Sequence, residues 1–308
     1  MHKRVTIWIT IMLLVTAARA QVRESESFQT PAGTDLAVYQ DTLAALGKTI
    51  MTAEFSPDRI EANYRFIKTL VSALQAPNSF SFKFDSVENM RILYPSDSSF
   101  RVMTWYVDRG NSAYRFYGAI QMNEPELKLF GLVDHGTEFV RPEDTVSSYE
   151  TWYGAYYYEL IPVQTGSQPY YVLLGWNGGD YRISRRVIDV LRFQGGKPVF
   201  GMAVFQTADG PKNRIVFQYS NKASMMLNYL PKENTIVFDH LVPFSESQRG
   251  NYEFYGPDLS YDGFTLQDGH WVLQENLELK NERNPTDKFF NDPEKMRREP
   301  SSVLPEDN

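Results

Sequence analysis

The chain contains no cysteine. That absence removes disulfides, thiolate metal sites and cysteine nucleophiles together. Histidine is scarce: of four in 308 residues, His2 falls in a leader, leaving His135, His240 and His270. No glycine-rich phosphate cradle, serine elbow or paired zinc motif occurs. Long apolar runs are missing too. The main one, Val5–Ala17, is 13 residues, short of the roughly 20 that span a bilayer.

That short run has a purpose. The basic Met1-His2-Lys3-Arg4 precedes it and the small-x-small Ala18-Arg19-Ala20 follows, which reads as a signal peptide over 1–20 cleaved before Gln21. An uncleaved anchor is the alternative. Losing Lys3, Arg4 and Arg19 takes the 31 basic residues to 28 against 38 acidic ones, a formal net charge of −10. An acidic surface argues against nucleic acid or anionic lipid as partner. The expected location is periplasmic or secreted, with no transmembrane segment after cleavage. An oxidising compartment would permit disulfides, yet none is used. A core must supply the stability, and 5 Trp, 19 Tyr and 20 Phe are there to build it.

Residues 21–34 are polar and read as a flexible leader. Over 35–78 the apolar residues follow helical spacing. Leu36, Tyr39, Leu43, Leu46 and Ile50 make one stripe behind Asp35 as N-cap. Ile60, Tyr64, Ile67, Val71 and Leu74 make a second, behind Ser56 as cap and Pro57 at the first helical position. A helical hairpin is predicted, weakened near Gly47, Thr49 and Ile50.

From Ser79 the period falls to two, with Phe80, Phe82 and Phe84 alternating as in a half-buried strand. Strands are predicted at 90–94, 100–107, 114–122, 127–133 and 152–163. Tyr170–Gly175 is uncharged and apolar, the expected central strand, buried on both faces. Ile183–Phe193 fits either a short helix capped by Ser184 or a strand, and the spacing of Val187, Ile188 and Leu191 leans to the helix. Further strands are expected at 199–206, 214–219, 223–230, 235–238, 252–255 and 270–279. Dense turn signals make 79–279 an antiparallel β domain. The predicted fold is mostly β (α+β), a sandwich-like or meandering sheet behind an N-terminal helical hairpin, with a small propeller as the alternative. The proline-rich, charged tail 280–308 reads as disordered.

Chemistry is thinly signalled. Asp134-His135 and Asp239-His240 place a carboxylate beside a possible general base, the weak catalytic candidates for a hydrolase. Neighbours on a strand face opposite ways, so neither pair is a dyad by sequence alone. Asp258, Ser260 and Asp262, followed by Gly263, match the start of a calcium loop. Position twelve is Gly269, not glutamate, so at most a weak calcium site is expected; the competing reading is a hairpin turned at Asp262-Gly263. No other cofactor is implied. Trp176, Asn177, Asp180 and Tyr181, with Tyr153, Tyr156, Tyr157 and Tyr158, could stack on and hydrogen-bond a sugar; Asn177–Asp180 is equally a tight turn. Ser184–Arg186 could grip an anion.

At Leu173–Gly178, Val237–Leu241 and Phe254–Phe264 the chain resembles exported bacterial proteins of uncharacterised function. That resemblance implies export and carries no activity or site residue. The expectation is a periplasmic or secreted binding or assembly module, with a glycan or another envelope protein as partner. The rival is a hydrolase built from dispersed Asp and His residues.

Overall fold

The computed structural model describes residues 35–110, 113–165 and 169–278. The predicted signal peptide 1–20, the predicted leader 21–34 and the tail 280–308 lie outside the described residues. Among the described residues no helix is long and apolar enough to cross a membrane.

Helix α1 (Leu36–Thr52) starts where expected: the Asp35 carboxylate accepts the Ala37 amide at 3.0 Å. Its stripe is buried as predicted at Tyr39, Leu43, Leu46 and Ile50. Gly47 is buried with them because the Asn89 carboxamide lies against its Cα, where a Cβ would overlap it. Helix α2 (Ser56–Gln75) is capped by Phe55 rather than Ser56, and Ser56-Pro57 opens it. Its inner face is also turned from the predicted one. Ala62, Asn63, Phe66, Leu70, Ala73 and Leu74 are buried, whereas Tyr64 and Val71 are exposed. Trp105 decides the rotation: its indole N–H donates to Asn63 at 2.8 Å, and its ring meets Phe66 at 5.3 Å.

The predicted strand at 80–84 does not form. A 3-10 turn spans Ser79–Ser81, and Phe84 has φ +54°. Arg101, with no exposed surface, is the cause. Its guanidinium donates to the Ser79 and Phe82 carbonyls at 2.9 and 2.7 Å, and lies over the rings of Phe80 and Phe84. Carbonyls turned inward to a cation cannot serve a sheet ladder.

The first sheet is an antiparallel meander, β1 (Arg91–Leu93), β2 (Phe100–Asp108), β3 (Tyr114–Met122) and β4 (Leu129–Val133). The second holds β5 (Ser147–Ser148), β6 (Tyr156–Val163), β7 (Tyr170–Asn177), β8 (Ile183–Gln194) and β9 (Lys197–Phe200), in the order β5-β9-β8-β7-β6. Strand β7 is buried on both faces, as expected. The 183–193 segment is strand, not helix. Val187–Leu191 is buried without a break, and β8 pairs with three neighbours. A strand buried on both faces shows no alternation, so its spacing could mimic a helix.

Strands β10 (Phe205–Thr207) and β11 (Gly210–Lys212) form a hairpin, and β12 (Ile215–Ser220) returns to pair with β8. The third sheet adds β13 (Leu227–Leu230), β14 (Thr235–Pro243), β15 (Tyr255–Gln267) and β16 (His270–Gln274), in the order β11-β10-β16-β15-β14-β13. Strand β10 meets β16 in parallel. Residues 252–254 are a 3-10 turn rather than a strand. The architecture is thus mostly β, in open meandering sheets, behind a two-helix segment.

Asp262-Gly263 is neither a hairpin turn nor a calcium loop. Both residues lie inside β15, paired with Phe238 and Val237. The β15–β16 turn falls instead at Asp268-Gly269, where φ values of +48° and +79° suit Asp-Gly in a tight primed turn.

Between the second and third sheets runs a core of Val172, Leu174, Ile188, Phe205, Ile236, Phe264 and Trp271. Beneath β7 and β8 lies a wholly buried polar chain. Trp152 donates to the Tyr157 hydroxyl at 2.9 Å, Tyr157 donates to Asp189 at 2.8 Å, and Arg214 donates to Asp189 at 2.9 Å. Burial beside Asp189 pushes the Tyr157 phenol well above its ordinary range, so it stays a donor. The Arg214 guanidinium sits against the rings of Tyr153 and Phe139, at 5.2 and 5.7 Å.

Candidate functional site

The cross-strand register of the second sheet builds the site. Tyr156 on β6 stands opposite Trp176 on β7, which stands opposite Arg186 on β8. These three side chains form one row and line one cleft of about 620 Å³. A bulge between Tyr157 and Glu159 brings Tyr158 into the same wall while Tyr157 points into the core. Beside them, β2 and β3 contribute Tyr106, Asp108 and Tyr114, and the opposite rim is Ile50, Met51, Glu88 and Asn89.

The rings brace one another. Tyr106 meets Tyr114, Tyr156 and Trp176 edge-on at 5.8, 5.7 and 5.0 Å, and Tyr114 meets Trp176 at 5.0 Å. Such edge-to-face packing fixes each ring before any ligand arrives. The Trp176 indole N–H is committed to Ser184 Oγ at 3.1 Å. Burial raises the phenols of Tyr106, Tyr114 and Tyr156, and that of Tyr158 to about 12. All four therefore remain neutral hydroxyls near neutral pH; that of Tyr158 already donates to the Leu227 carbonyl at 2.9 Å, while the other three can donate and accept. Arg186 lies over the Tyr158 ring at 5.4 Å.

The next register pair, Asn177 opposite Arg185, faces the other way. It lines a second cleft of about 430 Å³ with Asp134, Thr137, Tyr153 and Gln218. Trp176 and Asn177, grouped in the sequence, thus serve two different clefts, with Tyr114 on the border of both. Asn177 donates to the Gly154 carbonyl at 2.6 Å, and Arg185 to Gln218 at 3.3 Å. Asp180 closes the loop by accepting the amides of Arg182 and Ile183 at 2.7 and 3.0 Å. Burial is the largest single effect and raises its carboxyl pKa, but the two amides together with the Arg185 and Arg182 charges outweigh it and hold the group below the usual range. Tyr181 is exposed and stacked with Arg182. Asp180 and Tyr181 therefore do not join Trp176. Tyr106, Tyr114, Asn89 and Asp108 do, though nothing in the sequence placed them beside it.

Neither Asp-His pair is a dyad. Asp134 accepts the amides of Phe116 and Gly136 at 3.0 and 2.9 Å, while His135 pairs with Glu138 at 3.0 Å. Asp239 accepts the Met226 amide at 2.7 Å, while His240 Nδ1 meets Asp262 at 2.6 Å. Asp258 is spent on Ser260, accepting its amide at 3.0 Å and its hydroxyl at 2.6 Å. Among the described residues no group of three His, Asp or Glu side chains is placed to hold a metal ion. Of the calcium candidates, Asp258 is engaged with Ser260 and Asp262 with His240.

The Asp262 contact raises the His240 pKa above its ordinary value, with Asp258 and Glu275 adding to it and partial burial opposing. A raised histidine pKa stabilises the fold fully below its unfolded value of about 6.5, and that support fades as pH rises through the folded value. The His240 side chain is 41 % exposed, so the effect should stay below about 1 kcal/mol. Melting temperatures from pH 5 to 9 should show His240→Gln costing stability at the acid end and little at the alkaline end. A cost that is flat with pH would contradict this.

No family model matches the chain, and neither a curated protein nor a solved structure matches it.

Proposed function

We propose that this chain is an exported binding module, periplasmic or secreted, that takes a saccharide in the Tyr106–Trp176 cleft. The leader over 1–20 and the resemblance to exported bacterial proteins support export. The observation that carries the binding reading is the Tyr156–Trp176–Arg186 row, packed edge-on with Tyr106 and Tyr114 into one aromatic lining of a cleft of about 620 Å³. Aromatic faces cover the C–H faces of a sugar ring, and neutral phenols at the rim exchange hydrogen bonds with its hydroxyls. The volume falls within the usual range for small-ligand sites.

The rival, a hydrolase built on dispersed Asp and His residues, needs a histidine joined to both a carboxylate and a nucleophile. His240 has its carboxylate, but Ser260, the hydroxyl nearest that pair in sequence, donates to Asp258. An assembly role with another envelope protein has one supporting feature: Val38, Phe55 and Tyr64 of the helical segment are 56, 64 and 58 % exposed.

Isothermal titration of the protein with a panel of oligosaccharides tests the binding reading. At least one should bind, and Trp176→Ala should weaken it about 30-fold or more, as loss of a central aromatic anchor does. Binding that is indifferent to both Trp176→Ala and Tyr156→Ala would place the ligand elsewhere.

A further inference from the structure

We propose that the ligand of the aromatic cleft is an acidic saccharide, a sugar ring bearing a carboxylate, and that Arg186 and Asn89 receive that group. The proposal rests on the reading of the cleft as a saccharide site.

Two polar side chains of the cleft lining have buried atoms without a hydrogen-bond partner among the described residues: Arg186, which otherwise contacts Tyr158, and Asn89. Among the described residues Arg186 forms no ion pair with a carboxylate, and its Nε is buried without a hydrogen bond. Asn89 is only 6 % exposed, and neither its Nδ2 nor its Oδ1 has a partner. Native proteins leave few such groups, because each forfeits its hydration with nothing in return. Here two occur in the lining of one cleft, on facing rims, one a permanent cation and the other an amide that both donates and accepts. Their shared deficit is supplied by an anion carrying hydroxyls.

The surroundings favour a carboxylate on a ring. Arg186 lies over the Tyr158 ring at 5.4 Å with no carboxylate of the described residues on it, and a planar guanidinium grips a carboxylate through two parallel hydrogen bonds. Asn89 Nδ2 is the second donor offered to that group, while its Oδ1 lies against Gly47 of α1. The carboxylates of the cleft do not already serve Arg186. Asp108 accepts the Gly110 amide at 2.7 Å and lies 4.0 Å from Arg59, and Glu88 is exposed. Gly47 is part of the same construction, since any side chain there would push the Asn89 amide from its place.

Oligogalacturonate and its methyl ester make the test, because they share ring and hydroxyls and differ only in the charge. Calorimetric titration of the full mature chain should show the acid binding about tenfold or more tighter than the ester, the equivalent of one charge-assisted contact. Arg186→Met should bring the acid down to the ester's affinity, and Arg186→Lys should keep part of the preference. The ratio of the two affinities is the readout, so a general loss of folded protein does not imitate the effect. Equal binding of acid and ester, or a preference that survives Arg186→Met, overturns the proposal and leaves the cleft a site for neutral saccharides if Trp176→Ala still weakens binding. Failure of both ligands to bind at millimolar concentration, while a neutral oligosaccharide of another type binds and depends on Trp176, also overturns it. Failure of every saccharide overturns the cleft reading as well.

Discussion

Replacing Asp189 with alanine is expected to destabilise the protein by about 3–5 kcal/mol, the usual cost of breaking a buried ion pair from one side. Asp189 and Arg214 both have no exposed surface, and their contact is 2.9 Å. Without the carboxylate, Arg214 would hold a buried charge facing only the Pro142 and Thr145 carbonyls and two aromatic rings. Tyr157 would lose its acceptor as well. At about 2–4 °C per kcal/mol for a chain of this size, the melting temperature should fall by roughly ten degrees. Removing both charges in an Asp189→Asn, Arg214→Met double variant should recover part of the loss, because the stranded cation goes too. A thermal melt showing Asp189→Ala within about 1 kcal/mol of the parent would mean that water enters the site and the chain is not the dry strut described above.

Arg101→Met is expected to cost about 3 kcal/mol or more, since it orphans several buried acceptors at about 1–3 kcal/mol each. The Ser79 and Phe82 carbonyls and the Gln121 side chain all accept from this guanidinium. The loss should be local as well as global. Amide hydrogen exchange over 79–90 should quicken more than in the third sheet, because Arg101 holds the inward carbonyls of that irregular segment on β2, beside the packing of Phe84, Val87 and Met90. Uniform exchange across the fold would contradict a stapling role. Since Glu88 and Asn89 belong to this stretch, a loosened segment should also weaken ligand binding in the cleft.

These two residues show where sequence reading succeeds and where it stops. Strands β2, β3 and β7 and the α1 stripe were legible because burial against one partner leaves a period. Strand β8 was not, because Val187–Leu191 is buried on both sides and carries no period at all. The Phe80-Phe82-Phe84 alternation was true of the residues and false of the backbone, which bends to serve an arginine 17 or more positions later. At Asp262-Gly263 and Asp268-Gly269 the same dipeptide occurs twice, and local chemistry could not tell which one turns. The cleft was half legible. Trp176 and its tyrosine neighbours stood out as aromatic, and Arg186 as cationic. That Tyr156, Trp176 and Arg186 share a row depends on register between strands, a long-range property. The same register sends Asn177 and Arg185 to the other cleft, a split that adjacency in the chain conceals.

Quenching of tryptophan fluorescence by acrylamide tests the site most directly. Trp105, Trp152 and Trp271 are 3, 0 and 0 % exposed, whereas Trp176 is half-buried at the cleft wall. In protein prepared without residues 1–20, and so without Trp8, the quenchable emission should therefore come from Trp176 and vanish in Trp176→Phe. A saccharide that binds in the cleft should shield it, cutting the quenching of the parent protein toward the level of that variant. A saccharide that binds by calorimetry yet leaves Trp176 as open to acrylamide as before would show that the aromatic cleft is not its site.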